Sequence, residues 1–106
     1  MSSELFAAER TWFAVAPDGT EHDVVLRVGV PTHAPGGEWR TVVSLHPMES
    51  RSHPIAGVDA WQAICLAIHF AATRVGHFAE DGWQFYWERG GRPASPQGLA
   101  IVPQSL

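Results

Sequence analysis

The stretch LFAAERTWFAVAPDGTEHDVVLRVGV, residues 5–30, decides the fold class. Leu5 to Ala16 is rich in Phe, Trp and Val and stops at Pro17-Asp18-Gly19-Thr20. Asp-Gly between two apolar runs marks a hairpin, because both positions tolerate the positive φ of a tight turn. Beyond it, Val24, Leu26, Val28 and Val30 alternate with Asp23, Val25, Arg27 and Gly29. A period of two over this length is a strand with one face buried.

Treating Asp18-Gly19 as a two-residue turn pairs Phe13 with Val24 and Thr11 with Leu26. Trp12 then lies opposite Val25 and Arg10 opposite Arg27 on the other face, while Glu9 falls on the core-facing side near a strand end. A slip of one residue would exchange the two faces. Pro31 to Gly37 reads as a loop, and Trp39 to Leu45 alternates again, placing Arg40 and Val42 on that same outer face. The expected site is therefore Trp12 ringed by Arg10, Arg27, Arg40, Val25 and Val42. Two readings of it stand. Arginine stems cover a tryptophan on a solvated surface, or Trp and Arg form a recognition patch of the kind enriched at binding hot spots.

After a polar connection from His46 to Ala56, Gly57 to Phe78 reads as one long helix. Val58, Trp61, Cys65, Ile68, Ala72 and Val75 recur at spacings of three and four and give a continuous apolar stripe. Asp59 in the first turn complements the positive end of the helix. Glu80-Asp81-Gly82 is a turn, and Trp83 to Trp87 reads as a last strand. The expected architecture is α+β, a three- to four-stranded antiparallel sheet in β-β-β-α-β order with one long helix on one face. Residues 1–106 form a single domain, in which 90–106 is a Gly/Pro-rich tail. Its apolar stretch Leu99 to Val102 either docks on the domain or meets a partner.

Composition narrows the function classes. A chain of 106 residues is one domain in size. The net charge of −4 argues against general nucleic-acid binding. All seven basic residues are arginine, which makes forked and stacked contacts that lysine cannot. Only 17% of residues are charged, yet there are five Trp and five Phe, more apolar surface than one small core obviously needs. The single Cys65 allows no intrachain disulfide, no signal-peptide pattern opens the chain, and no apolar run reaches the ~20 residues of a membrane span. These features lead to the expectation of a cytoplasmic protein.

Catalytic chemistry finds little support. His46, Glu49 and His53 can be drawn around a metal, but without zinc-type spacing, and loop histidines in water explain them. His69 and His77 are eight residues apart on the helix, roughly 12 Å, too far to share one ion. Ser50 and Ser52 lie near His53 without an elbow motif. Neither Gly36-Gly37 nor Gly90-Gly91 has a phosphate-loop pattern. No cofactor is expected.

The helix start Gly57-Val58-Asp59-Ala60-Trp61-Gln62-Ala63-Ile64-Cys65-Leu66-Ala67 resembles a family of small uncharacterised bacterial proteins that share a Gly-Val-Asp-x-x-Gln-Ala-x-x-Leu-Ala pattern. The resemblance covers about residues 5–95 and implies architecture, not activity. In size, acidity and aromatic content the chain is similar to bacterial toxin-immunity proteins. The leading expectation is thus a non-enzymatic protein-binding domain, an immunity-type inhibitor that neutralises a cognate toxin. The alternatives are a homo-oligomeric (for example homodimeric) structural or regulatory domain, and a small-molecule or metal-dependent enzyme using the 46–59 loop.

Overall fold

The computed structural model describes residues 5–100. Strands β1 (Phe6–Val15) and β2 (Glu21–Gly29) form the hairpin, followed by the two-residue strand β3 (Thr32–His33) and by β4 (Trp39–His46) and β5 (His53–Gly57). Helix α1 (Ala60–Glu80), strand β6 (Gln84–Tyr86) and the short helix α2 (Pro96–Ala100) complete the described chain. The sheet is antiparallel throughout: β5 pairs one edge of β4, β2 and β3 pair the other, and β1 lies between β2 and β6.

The α+β class, the antiparallel sheet and the long helix are as the sequence indicates, but the sheet has six strands. The additional long-range pairing comes from β5, which takes in His53 to Ala56 of the stretch read as a polar connection and Gly57, the first residue of the expected helix. The helix itself begins at Ala60 behind the Asp59 cap. The β5 sequence His53-Pro54-Ile55-Ala56-Gly57 does not alternate between apolar and polar residues, although its burial does, and it contains Pro54, which an edge strand tolerates because one side of it needs no partner. The brief β3 continues the β2 side of β4 after one extra residue is accommodated between Val28↔Val43 and Thr32↔Arg40.

The hairpin turn sets the register. Ala16 N–H donates to the Thr20 carbonyl at 2.8 Å, and Gly19 N–H donates to the Ala16 carbonyl at 2.8 Å. Gly19 has φ +90°, the left-handed region that glycine enters without a Cβ penalty. The loop is therefore Pro17-Asp18-Gly19, a type I turn closed by a glycine bulge, one residue longer than a two-residue Asp-Gly turn. Trp12 consequently pairs with Val24, Thr11 with Val25, Arg10 with Leu26 and Glu9 with Arg27. From Ala8 to Val15 each residue of β1 is on the opposite face from the sequence expectation, with Trp12 pointing inward and Glu9 outward. The irregularity between Phe6 and Ala8 leaves Phe6 on the outer face beside Arg27.

On the inner face Trp12, Ala14, Val24, Leu26, Val28, Val43 and Leu45 form one core with Ala67, Ala71, Ala72 and Val75 of α1, Phe85 of β6 and Leu99 of α2. Part of the stretch read as a tail thus supplies core, while Ile101 and Val102 lie outside the described residues. The face that α1 lays on the sheet is mostly alanine, including the fully buried Ala63, so the helix approaches closely. At Gly57 a Cβ would sit 2.6 Å from the Ala63 amide nitrogen. No helix among the described residues is long and apolar enough to cross a membrane.

Gly57→Ala is expected to lower unfolding stability by about 1–3 kcal/mol through overpacking. By contrast, Gly76→Ala, where an added methyl meets open space on the same helix, should raise it by about 0.5–1 kcal/mol. Urea unfolding measures both, and equal effects at the two glycines would discard the close approach. At the turn, hydrogen bonds from the Thr20 hydroxyl and then its N–H hold the Asp18 carboxyl below its ordinary value. A depressed folded-state value stabilises the fold above the ordinary carboxylate pKa, and this contribution disappears as pH falls through the depressed value. Thr20→Val is expected to move the Asp18 titration back up, as read by carboxyl NMR shifts.

Candidate interaction surface

Four of the six residues expected to form a patch do share the outer face of the sheet, and two do not. Val25, Arg27, Arg40 and Val42 are there by register. Each of these arginines is occupied. Arg27 Nε donates to Glu9 at 2.9 Å and its guanidinium lies 4.9 Å from the Phe6 ring centre. Arg40 Nε donates to Glu38 at 3.1 Å, a hydrogen bond that raises the Arg40 pKa and lowers that of Glu38. Arg89 covers the outer-face ring of Phe13 at 4.4 Å and pairs with Glu21. Leu5, Phe6, Val30, Val42 and Pro54 line a shallow groove of about 300 Å³ beside Arg40. Surface ion pairs of this type contribute about 0–1 kcal/mol each, so this face is a solvated, charge-balanced one with an apolar crease.

Trp12 and Arg10 are on the inner face instead. Trp12 is 3% exposed and meets Phe85 edge to face at 6.2 Å. Arg10 Nη1 donates to the carbonyls of Gly98 and Leu99 at 2.8 and 2.9 Å, and the guanidinium lies 5.8 Å from the Trp87 ring centre. It thereby satisfies two of the orphan carbonyls at the end of α2 and holds Leu99 in the core.

The larger apolar exposure lies at the start of α1. Trp61 is 81% exposed, Val58 75% and Leu66 42%, and Cys65 between them is also exposed. Sequence periodicity put Val58, Trp61 and Cys65 in the core stripe. Two apolar faces compete on this helix, and the alanines win the sheet because small side chains let the backbones approach. The bulkier stripe is turned to the flank, where its far half, Ala72 and Val75, is buried. Its near half is open. Exposed area on Trp61 alone, roughly 150–200 Å² of an indole, corresponds to about 4–5 kcal/mol of gross transfer free energy.

The Gly-Val-Asp-x-x-Gln-Ala pattern has a structural explanation. Asp59 caps the helix, its Oδ1 accepting from Gln62 N–H at 2.8 Å, while Gln62 Oε1 accepts from Val58 N–H at 2.7 Å. This reciprocal pair behaves as a capping box and fixes the direction in which the chain enters the helix. It presents Val58 and Trp61 on a rigid base, since Gly57 is already locked against Ala63.

The histidine segment is a tether. Glu49, only 11% exposed at its side chain, accepts from Arg74 Nε at 2.9 Å and from His53 Nε2 at 2.9 Å. His46 projects to the outer face opposite Val25, so His46, Glu49 and His53 do not converge. Among the described residues no group of three His, Cys, Asp or Glu side chains is placed to hold a metal ion. Glu49 instead ties the β4–β5 connection to α1.

Comparison with known proteins finds one family model, "Domain of unknown function (DUF6968)", matching residues 8–94. No curated protein and no solved structure matches. The two tryptophans separate core from surface. Trp12→Ala is expected to cost about 3–5 kcal/mol in chemical denaturation, and Trp61→Ala no more than about 0.5 kcal/mol. Similar losses at both positions would refute the register and the helix rotation together.

Proposed function

The chain belongs to the DUF6968 family, whose description assigns no activity, and on the geometry of its helix start we propose that it is a non-enzymatic protein-binding domain. The observation that carries this reading is Trp61, 81% exposed beside Val58 and Leu66 on a capped and tightly seated helix end. Tryptophan is the residue most enriched at binding hot spots, and a rigid platform limits the ordering entropy that association must overcome. No charged side chain interrupts the stretch from Ala60 to Thr73, so a partner desolvates it cheaply.

In its finer form the reading is an immunity-type inhibitor that occludes a cognate bacterial toxin. Its support is the small acidic chain, with net charge −4 and 17% charged residues, and its aromatic content. The second reading is a homo-oligomer, favoured by the uncharged character of the stripe, which is as compatible with a second copy as with a foreign surface.

The test is co-expression with each toxic gene product found to be encoded next to this chain, together with calorimetry on the purified pair. Wild type is expected to protect cells and to bind one to one. Trp61→Asp should weaken binding at least about 100-fold, equivalent to about 2.7 kcal/mol, with the melting temperature unchanged. Full affinity in that variant removes the helix start as the site. Failure of wild type to protect removes the toxin form. A wild-type dimer that Trp61→Asp dissolves to monomer in sedimentation establishes the homo-oligomer instead.

A further inference from the structure

The sheet is left open along part of β1. This strand is ten residues long and β2 pairs with it from Phe6 to Val15, but β6 pairs only with Phe13, Ala14 and Val15. Among the described residues no other strand lies along the remaining edge, and Ala7 to Thr11 are all exposed. Ladder alternation identifies the free groups. Ala16 bonds Thr20 across the hairpin, so by alternation Ala14, Trp12 and Arg10 direct their amides and carbonyls to β2. Thr11 and Glu9 therefore direct theirs away from β2, toward the side on which β6 has ended. A cleft of about 300 Å³, lined by Thr11, Phe13, Trp87 and Arg89 together with the acidic Asp23 and Glu88, opens where the chain leaves β6.

We propose that this edge accepts an extended segment of a partner protein, which adds as a strand antiparallel to β1, continues the track of β6 and carries an acidic residue opposite Arg10. Backbone groups of Thr11 and Glu9 supply the hydrogen bonds, and the neighbouring side chains set the preference. Among the described residues Arg10, like Arg51 and Arg92, has no carboxylate partner, whereas Arg27, Arg40, Arg74 and Arg89 have one. Of the three without a partner, Arg10 is the one carried by the open stretch of β1. A carboxylate on the added strand completes it, and a basic residue next to that carboxylate faces Glu9.

Charge also disfavours a second copy as the occupant. Of the antiparallel registers with odd-numbered residues facing, the two centred on the open stretch place Glu9 against Glu9 or Arg10 against Arg10. One centred on Thr11 runs into the Phe13–Tyr86 pair, and one centred on Ala8 into the irregularity beside Phe6. Like charges directly opposite destabilise a strand pair, and charged edges are a common guard against self-pairing. The irregularity between Phe6 and Ala8 shortens the pairable stretch further. The inference concerns the sheet edge and stands or falls separately from the helix-start reading.

The test uses the full chain and two blocked peptides, Ac-TVEKVT-NH2 and its charge-swapped form Ac-TVKEVT-NH2, with amide NMR. In the free chain the Glu9 and Thr11 amides should exchange rapidly with solvent. The first peptide is expected to shift and protect those two amides and to bind about tenfold more tightly than the swapped one. N-methylation of its residues facing Thr11 and Glu9 should abolish the effect. Protected Glu9 and Thr11 amides in the free monomer, or a concentration-dependent dimer that protects them, would overturn the proposal. So would equal binding of the two peptides, shifts confined to other residues, or no shift at millimolar peptide.

Discussion

A three-residue turn governs this molecule. Because Pro17 takes the first corner of a type I turn and Gly19 closes it with positive φ, β1 meets β2 in one register and not the neighbouring one. Side chains alternate with a period of two, so that single residue of loop length decides the face of each residue from Ala8 to Val15. It sends Trp12 into the core and Arg10 to the inner edge, where it reaches the end of α2. Glu9 goes to the outer face against Arg27. An indole inside and ion pairs outside is the arrangement that burial energetics favour, and the turn makes it available.

Close approach of α1 is the second constraint, and it shapes the surface. Ala63, Ala67 and Ala71 give the helix a smooth face, and Gly57 lets β5 run directly beneath the first turn. The helix could have presented the heavier stripe of Trp61, Cys65 and Ile68 to the sheet, at the cost of a wider separation and a gap above β4 and β5. Packing small against small removes that gap. Its consequence is an indole standing in solvent at a helix end that capping bonds from Asp59 and Gln62 keep rigid. The far half of the stripe, Ala72 and Val75, belongs to the same buried core as Leu99, so only its near half faces outward.

Charge is distributed in keeping with that geometry. On the outer face Arg27, Arg40 and Arg89 each have a carboxylate beside them, and two of them also lie over aromatic rings. Glu49 is used internally, joining His53 and Arg74 across the β4–β5 connection. Arg10 differs in that its hydrogen bonds go to neutral carbonyls. Neutralised arginines make a face that water covers well, whereas an uncompensated one at an open strand edge gives a direction for recognition.

Periodicity made the hairpin, β4 and the long helix legible in the sequence, because repeats of two and of three to four are properties of the local chain. Asp59 was legible as a helix-start residue for the same reason. Composition likewise pointed to apolar surface in excess of one core. β5 was hidden, since an edge strand with Pro54 needs only one partner and shows little alternation. The identity of the exposed tryptophan was hidden too: Trp12 and Trp61 each sit in an apolar pattern, and local spacing cannot rank two patterns that compete for one sheet. Sequence by itself determined which elements form and roughly where they begin. Tertiary structure decided which face of β1 and which stripe of α1 is inside. Those choices depend on a one-residue difference in a turn and on how closely two backbones can pack.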